Sequence, residues 1–174
     1  MAVVRELRES EHAQAGEVTA QAYAEFATGE PRWNSYVDHL ADVSSRSRRA
    51  QVLGAFLDGR VVGTVTLELE QRVYPDSPPL APDEAHIRML GVHPDYRRRG
   101  VARALIEASV EAARQRGKKV LTLHTAERMQ AAQRLYEALD FTRGPDEDYA
   151  GMRLLCYRLD LEALANSGGQ RRRA

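Results

Sequence analysis

Arg97-Arg98-Arg99-Gly100-Val101-Ala102 sets basic residues and a glycine where a strand-like run over 85–92 hands over to a helical pattern over 101–116. The first turn of a helix carries free backbone N–H groups and the positive end of its dipole. Such a turn is an anion site, and phosphate is its usual guest. Gly100, without a Cβ, lets the backbone come close to a ligand. Two familiar phosphate loops are excluded. No Gly-Lys-Ser/Thr completes a P-loop, and Gly100 has no glycine at either spacing of the dinucleotide fingerprint. What remains is R-x-x-G-x-A between a strand and a helix.

Other residues could carry proton chemistry. His86 and Glu84 are two apart on the strand that feeds the turn, so they share a face. Histidine titrates near neutral pH, which suits removal of a proton from an amine. Tyr136 falls on a helical stripe with Met129, Ala132 and Leu139. Glu68 and Glu70 are expected on a neighbouring strand, facing solvent or a cationic ligand, with solvent preferred. Cys156 is read as a core residue in an apolar strand. His93 and His124 lack ligand partners at useful spacing, so no metal is expected. Arg46, Arg48, Arg49 and Arg171-Arg172-Arg173 are read as solvated charge.

These residues need a scaffold. A short first strand is expected at Val3, Val4 and Leu7. Ser10 is placed to cap a helix running to Phe26, with Ala15, Val18, Ala22 and Phe26 on one face. Thr28-Gly29-Glu30-Pro31 breaks it, and a second helical stretch covers 33–49 with a polar, mobile end. Asp58-Gly59 between apolar runs marks a hairpin, since a type I′ turn needs positive φ at both positions. After it, Val65, Leu67 and Leu69 alternate with Thr64, Thr66, Glu68 and Glu70. The proline-rich stretch 74–82 is a loop. The helix after the turn carries Val101, Ala104, Leu105, Ala108 and Ala112 as its apolar stripe and ends at Gly117. A strand over 119–125, a helix over 126–139, a short strand at Phe141 and a last strand over 152–161 follow. The pattern predicts an α/β chain with a mixed, mostly antiparallel sheet flanked by helices.

The chain has 174 residues, and one domain over 1–162 with a disordered basic tail over 163–174 is expected. Hydrophobic residues make up 43% and charged residues 29%, a soluble, globular balance. The 25 basic and 25 acidic residues cancel, which argues against a general nucleic-acid binder. The lone cysteine excludes an internal disulfide and suits a reducing compartment. No apolar run approaches the roughly 20 residues that cross a bilayer. A cytoplasmic protein, with no membrane partner, is expected.

The segment 97–102 resembles the loop signature of the GCN5-related N-acetyltransferase (GNAT) superfamily, Q/R-x-x-G-x-G/A. Arg97, Gly100 and Ala102 fill its three defined positions. Leu90-Gly91-Val92-His93-Pro94 is similar to the family's strand end before that loop. Ala132-Gln133-Arg134-Leu135-Tyr136-Glu137-Ala138-Leu139-Asp140-Phe141 is similar to its later A-x-x-L-Y-E-x-L-G-F segment. Asp140 stands where the family often has Gly, and Met129 where it often has Asn.

The resemblance implies a GNAT-like acyl-CoA N-acyltransferase fold, its sheet splayed between strands 4 and 5. It implies acetyl-CoA as co-substrate, its pyrophosphate on the backbone of Arg98, Arg99, Gly100, Val101, Ala102 and Arg103, downstream of Arg97. Leu90 and Val92 would pair with the pantetheine arm, Gly91 would form the bulge that opens the sheet, and Met129 would lie beside the cofactor arm. Tyr136 would protonate the leaving thiolate. His86 stands where histone-modifying relatives carry a glutamate base, with Glu84 beside it. The backbone N–H near Leu90 or Val92 would hold the oxyanion. The implied activity is transfer of an acetyl group from acetyl-CoA directly to a primary amine. A small cationic metabolite or antibiotic-like amine is the first choice of acceptor, drawn to Tyr23, Phe26, Glu30, Trp33 and Tyr36. A protein N-terminus or lysine is the second. The chain would act as a monomer or homodimer. The rival reading is a non-catalytic acyl-CoA-binding regulatory module on the same fold.

Overall fold

The computed structural model describes residues 1–27, 29, 31–149 and 152–163. The tail from 164 onward, and with it Arg171-Arg172-Arg173, lies outside the described residues, as do Thr28 and Glu30. Among the described residues eight strands form one sheet in the order β1-β2-β3-β4-β5-β8-β6, with β7 paired to β8. They are β1 Val3–Glu6, β2 Gln51–Leu57, β3 Arg60–Glu68, β4 Glu84–Val92, β5 Val120–Ala126, β6 Thr142–Arg143, β7 Glu147–Tyr149 and β8 Met152–Asp160. Among the described residues only β4 and β5 pair in parallel, and α4 (Val101–Gln115) is the crossover between them. Asp58 and Gly59 take φ of 49° and 76°, the turn that their sequence requires between β2 and β3.

The two sheet faces have different coverings. Val101, Leu105 and Ile106 of α4 and Tyr136 of α5 (Gln130–Glu137) share one core with Val65, Leu67, Ile87, Leu121 and Leu123. On the other face lie α1 (His12–Tyr23), α2 (Pro31–Ala41) and α3 (Val43–Ser47). There Thr19 of α1 meets Thr64 at 2.6 Å, and Arg46 of α3 donates to Thr66 at 3.2 Å. Gly16 lets α1 and α2 close together: a Cβ there would stand 2.1 Å from the carbonyl oxygen of Ala41. No helix among the described residues is long and apolar enough to cross a membrane.

Several expectations change. Ser10 does not cap the first helix. Glu11 anchors this end instead, accepting from the Arg8 amide at 2.8 Å and from the Arg5 guanidinium at 2.8 and 2.6 Å, because a carboxylate can satisfy both. The helix expected over 33–49 is two helices. Asp42 takes the Ser45 amide at 2.9 Å and starts a new one. Its end is fixed rather than mobile. Arg46 is 2% exposed and donates to the carbonyls of His39 and Leu40, so it is not solvated charge. The polar side of β3 is buried too, because α1 and α3 cover it with polar partners of their own. Glu68 is wholly buried between Arg72 at 3.0 Å and Arg88 at 3.3 Å. Glu70 does face solvent, paired with Lys118. In α4 the buried residues are Val101, Leu105, Ile106, Ser109 and Ala113, a stripe rotated from the expected one. Ser109 can be buried because its hydroxyl donates to the Leu105 carbonyl at 2.8 Å. The helix expected from 126 starts at Gln130, since Ala126 still pairs with Leu154 in the sheet.

Candidate active site

Paired β4 and β5 run together only from Glu84↔Val120 to Ile87↔Leu123. Beyond that point β4 turns away. On its other side the register with β3 slips, from Thr66↔Arg88 to Thr64↔Gly91, so β4 carries the extra residue. Met89, at φ 50°, lies within this slip. The bulge is therefore at Met89 and not at Gly91. Gly91 has a different duty: a Cβ there would stand 2.8 Å from that of Ala22, so its absence lets α1 seat against β4. The gap opens a cavity of about 650 Å³, walled by β4, β5, and the ends of α1, α4 and α5.

One end of the cavity is the turn before α4. Arg98 and Gly100 sit at φ 59° and 75°, left-handed geometry that aligns the turn with the helix. The first intrahelical bond runs from the Ala104 amide to Gly100 at 3.0 Å, which leaves the amides of Val101, Ala102 and Arg103 without helical acceptors. Nothing stands within 4 Å of a Cβ built on Gly100, so glycine is required here for its φ and not for space. Arg98, Gly100, Val101, Ala102 and Arg103 line the cavity, and Arg99 turns its guanidinium over the Tyr96 ring at 5.3 Å. The Arg97 guanidinium is committed to the protein. It reaches Glu25 at 2.7 Å, the Ala22 carbonyl at 3.0 Å and the Val92 carbonyl at 3.4 Å, tying the turn to α1.

Tyr136 also lines the cavity, 5% exposed, against Phe141 and Tyr157. Burial pushes its phenol well above the usual tyrosine range, so it stays protonated. The neighbouring Glu137 accepts from the Tyr157 hydroxyl at 3.0 Å and pins α5 to β8. Leu90, Gly91, Val92 and Met129 also line the cavity, as does the aromatic group around Tyr23 and Phe26. The Tyr23 hydroxyl donates to the Leu90 carbonyl at 3.1 Å, which fixes the bulge. Tyr36 packs on Tyr23, and burial pushes its phenol up to about 12. Glu30 and the Trp33 side chain fall outside the described residues.

His86 and Glu84 lie elsewhere. His86 is 1% exposed, behind the cavity wall, with Nδ1 2.8 Å from Thr122 Oγ1. Burial first, then the charges of Arg72, His124 and Arg88, hold it well below the usual histidine range. The Glu84 carboxylate accepts from the same Thr122 hydroxyl at 2.6 Å and from the Ala81 amide at 3.1 Å. The imidazole that does line the cavity is His124. Its Nε2 stands 3.5 Å from the Glu147 carboxylate. Burial lowers its pKa, and the Glu147 carboxylate partly offsets this. Sequence spacing missed His124 because its neighbours come through pairing: Thr122 meets His86 across β4, and His124 meets Cys156 across β8. Cys156 is not a core residue. It is partly exposed, on the opposite sheet face from buried Leu155 and Tyr157.

Known proteins resemble this chain in sequence and in fold. "Probable N-acetyltransferase camello" of Xenopus tropicalis is 30% identical over 116 residues, 63% of this chain and 49% of that protein. The chain thus spans about half the length of that relative. A GNAT-family structure from Desulfovibrio desulfuricans superposes with a TM-score of 0.71 at 18% identity, covering 92% of this chain and 99% of the other. The yncA structure from Salmonella typhimurium, solved with acetyl-CoA, gives 0.69 at 20% identity over 92% and 94%. Residues 12–141 match the family described as Acetyltransferase (GNAT) family. That match spans the opened sheet, the turn at Gly100 and Tyr136, and this chain belongs to that family.

Proposed function

We propose that the chain moves an acetyl group from acetyl-CoA directly to a primary amine, with acetyl-CoA as a co-substrate. The observation that carries this is the single cavity joining an anion cradle at 98–103 to a buried phenol and an imidazole at the sheet opening. The residues present fit the co-substrate. Free amides at the start of α4 suit a pyrophosphate. The β4 edge that faces β5, without a pairing partner beyond Ile87, suits a strand-like pantetheine arm, which adds to a sheet by backbone pairing. Met89 and Met129 give the cavity adaptable apolar walls.

Transfer forms the N–C bond and breaks the C–S bond. The amine must shed a proton, the carbonyl oxygen must be stabilised as charge builds, and the departing sulfur is helped by a proton. His124, neutral near pH 7, takes the amine proton directly or through water, with Glu147 steadying the ring. Backbone N–H groups near Leu90 and Val92 face the oxyanion. Tyr136, held protonated by burial, gives its proton to the thiolate. His86 and Glu84 then act from behind, through Thr122, as supports of the strand pair. The acceptor side is aromatic and tyrosine-rich, which suits a small cationic amine through ring faces. Free-thiol release from acetyl-CoA across an amine panel tests the reading. Turnover with a small amine supports it. Tight CoA binding with no turnover on small amines, peptides or lysines assigns the chain to the non-catalytic class.

A further inference from the structure

His124, Cys156 and Glu147 sit on three neighbouring strands and one sheet face. His124 and Cys156 are direct cross-strand partners between β5 and β8, and Glu147 lies opposite Leu154, two residues before Cys156. Their ligand-type atoms, a ring nitrogen, a carboxylate oxygen and a thiol sulfur, all fall within 4.8 Å of one another. The Nε2-to-carboxylate distance is 3.5 Å. Zinc bonds of about 2.0–2.3 Å place tetrahedral ligands roughly 3.3–3.8 Å apart, so one side-chain adjustment closes the set. Glu147, whose side chain is 62% exposed, has the freedom to make it.

The local electrostatics also call for a cation. A thiolate at Cys156 would stand beside the Glu147 carboxylate, within the same 4.8 Å cluster. The Asp146 carboxylate is neutralised by Arg143 and Arg153, whereas Glu147 meets only the ring of His124 among the ion pairs of the described residues. A divalent cation between thiol and carboxylate turns that repulsion into attraction and makes the thiolate the stable form. A nitrogen, sulfur and oxygen set on rigid strands favours a thiophilic ion of the zinc class over magnesium or calcium.

We propose that His124, Glu147 and Cys156 bind one zinc-class divalent cation, and that its occupancy withdraws His124 from the cavity and stops acetyl transfer. Binding stands on the three side chains; the loss of transfer rests on His124 being the base.

The test is cobalt and zinc titration of the untagged, reduced full chain. One equivalent of cobalt should give a thiolate-to-metal charge-transfer band, which zinc displaces. Cys156→Ser should lose the band and weaken zinc binding at least tenfold, while metal-free turnover and CoA binding stay as in the parent. No band, or equal zinc affinity in Cys156→Ser, overturns the site. Zinc should inhibit the parent near its binding concentration and spare Cys156→Ser at that level. Binding without inhibition overturns the link to the cavity. A parent that turns over no amine fails the acetyltransferase reading, and the titration still decides the metal site.

Discussion

The imidazole of His124 packs edge-on against that of His86, ring centroids 4.9 Å apart, and only His124 reaches the cavity. This divides their roles. His124→Gln should lower kcat by about 10²–10⁴, the usual contribution of a positioned base. His86→Gln should leave most of kcat. The pKa of His124 lies below the usual 6.5, so the acidic limb of kcat/KM should fall below that pH as the ring takes up a proton. The limb should vanish in His124→Gln and persist in His86→Gln. A limb unchanged in His124→Gln would take this ring out of the chemistry.

Tyr136→Phe removes one oxygen from a buried ring and keeps its packing on Phe141 and Tyr157. Turnover should fall by about 10²-fold or more, the scale of a lost general acid, with the Kd for CoA changed less than threefold. Isothermal titration and steady-state kinetics on one preparation separate the two effects. Parent-like kcat would leave Tyr136 as packing alone.

Gly100 should tolerate bulk poorly for reasons of backbone, not space. Ala in left-handed geometry costs about 1–2 kcal/mol, so Gly100→Ala should lower Tm by roughly 2–8 °C for a chain of this size. Gly100→Glu adds a carboxylate at an anion cradle and should raise the Kd for CoA by at least tenfold beyond Gly100→Ala. Equal CoA affinity in the two variants would remove the cradle assignment.

Glu68 is the fixed point of the sheet face that α1, α2 and α3 cover. Its carboxylate holds Arg72, Arg88 and the Val73 amide at 2.7 Å, and Arg88 lines the cavity. Glu68→Leu leaves both guanidiniums without this partner and should cost about 3–5 kcal/mol. Urea denaturation should show the loss as a lower midpoint with a similar slope. A parent-like midpoint would mean the two arginines find other partners.

The glycine turn before α4 and the order of elements along the chain were legible in the sequence because they depend on local features. A glycine before a helix, an Asp-Gly turn and alternating residues each act over a few positions. What was hidden depends on pairing. The polar residues Thr64, Thr66 and Glu68 alternate as a solvent face would, yet Thr19, Arg46, Arg72 and Arg88 arrive from elsewhere to satisfy them. The bulge fell on Met89 because its position follows the β3–β4 register, which no residue type in β4 announces. His124 joined the site by the same route. A parallel partner strand placed it one step beyond the last β4 pair, where the sheet has already opened.

The ends of the sheet are short. β1 offers four residues, with Arg5 held by Glu11 and lying 3.9 Å over the Phe56 ring, and β6 offers two. Exposed strand edges are where other chains add on and grow into aggregates. These two give an incoming strand few backbone groups to pair with, and one carries a clamped cation. The sheet is open in its middle, at the cavity between β4 and β5, without presenting long sticky margins. Lengthening β1 with an apolar, uncharged extension should therefore make the chain aggregate at concentrations where the parent stays dispersed.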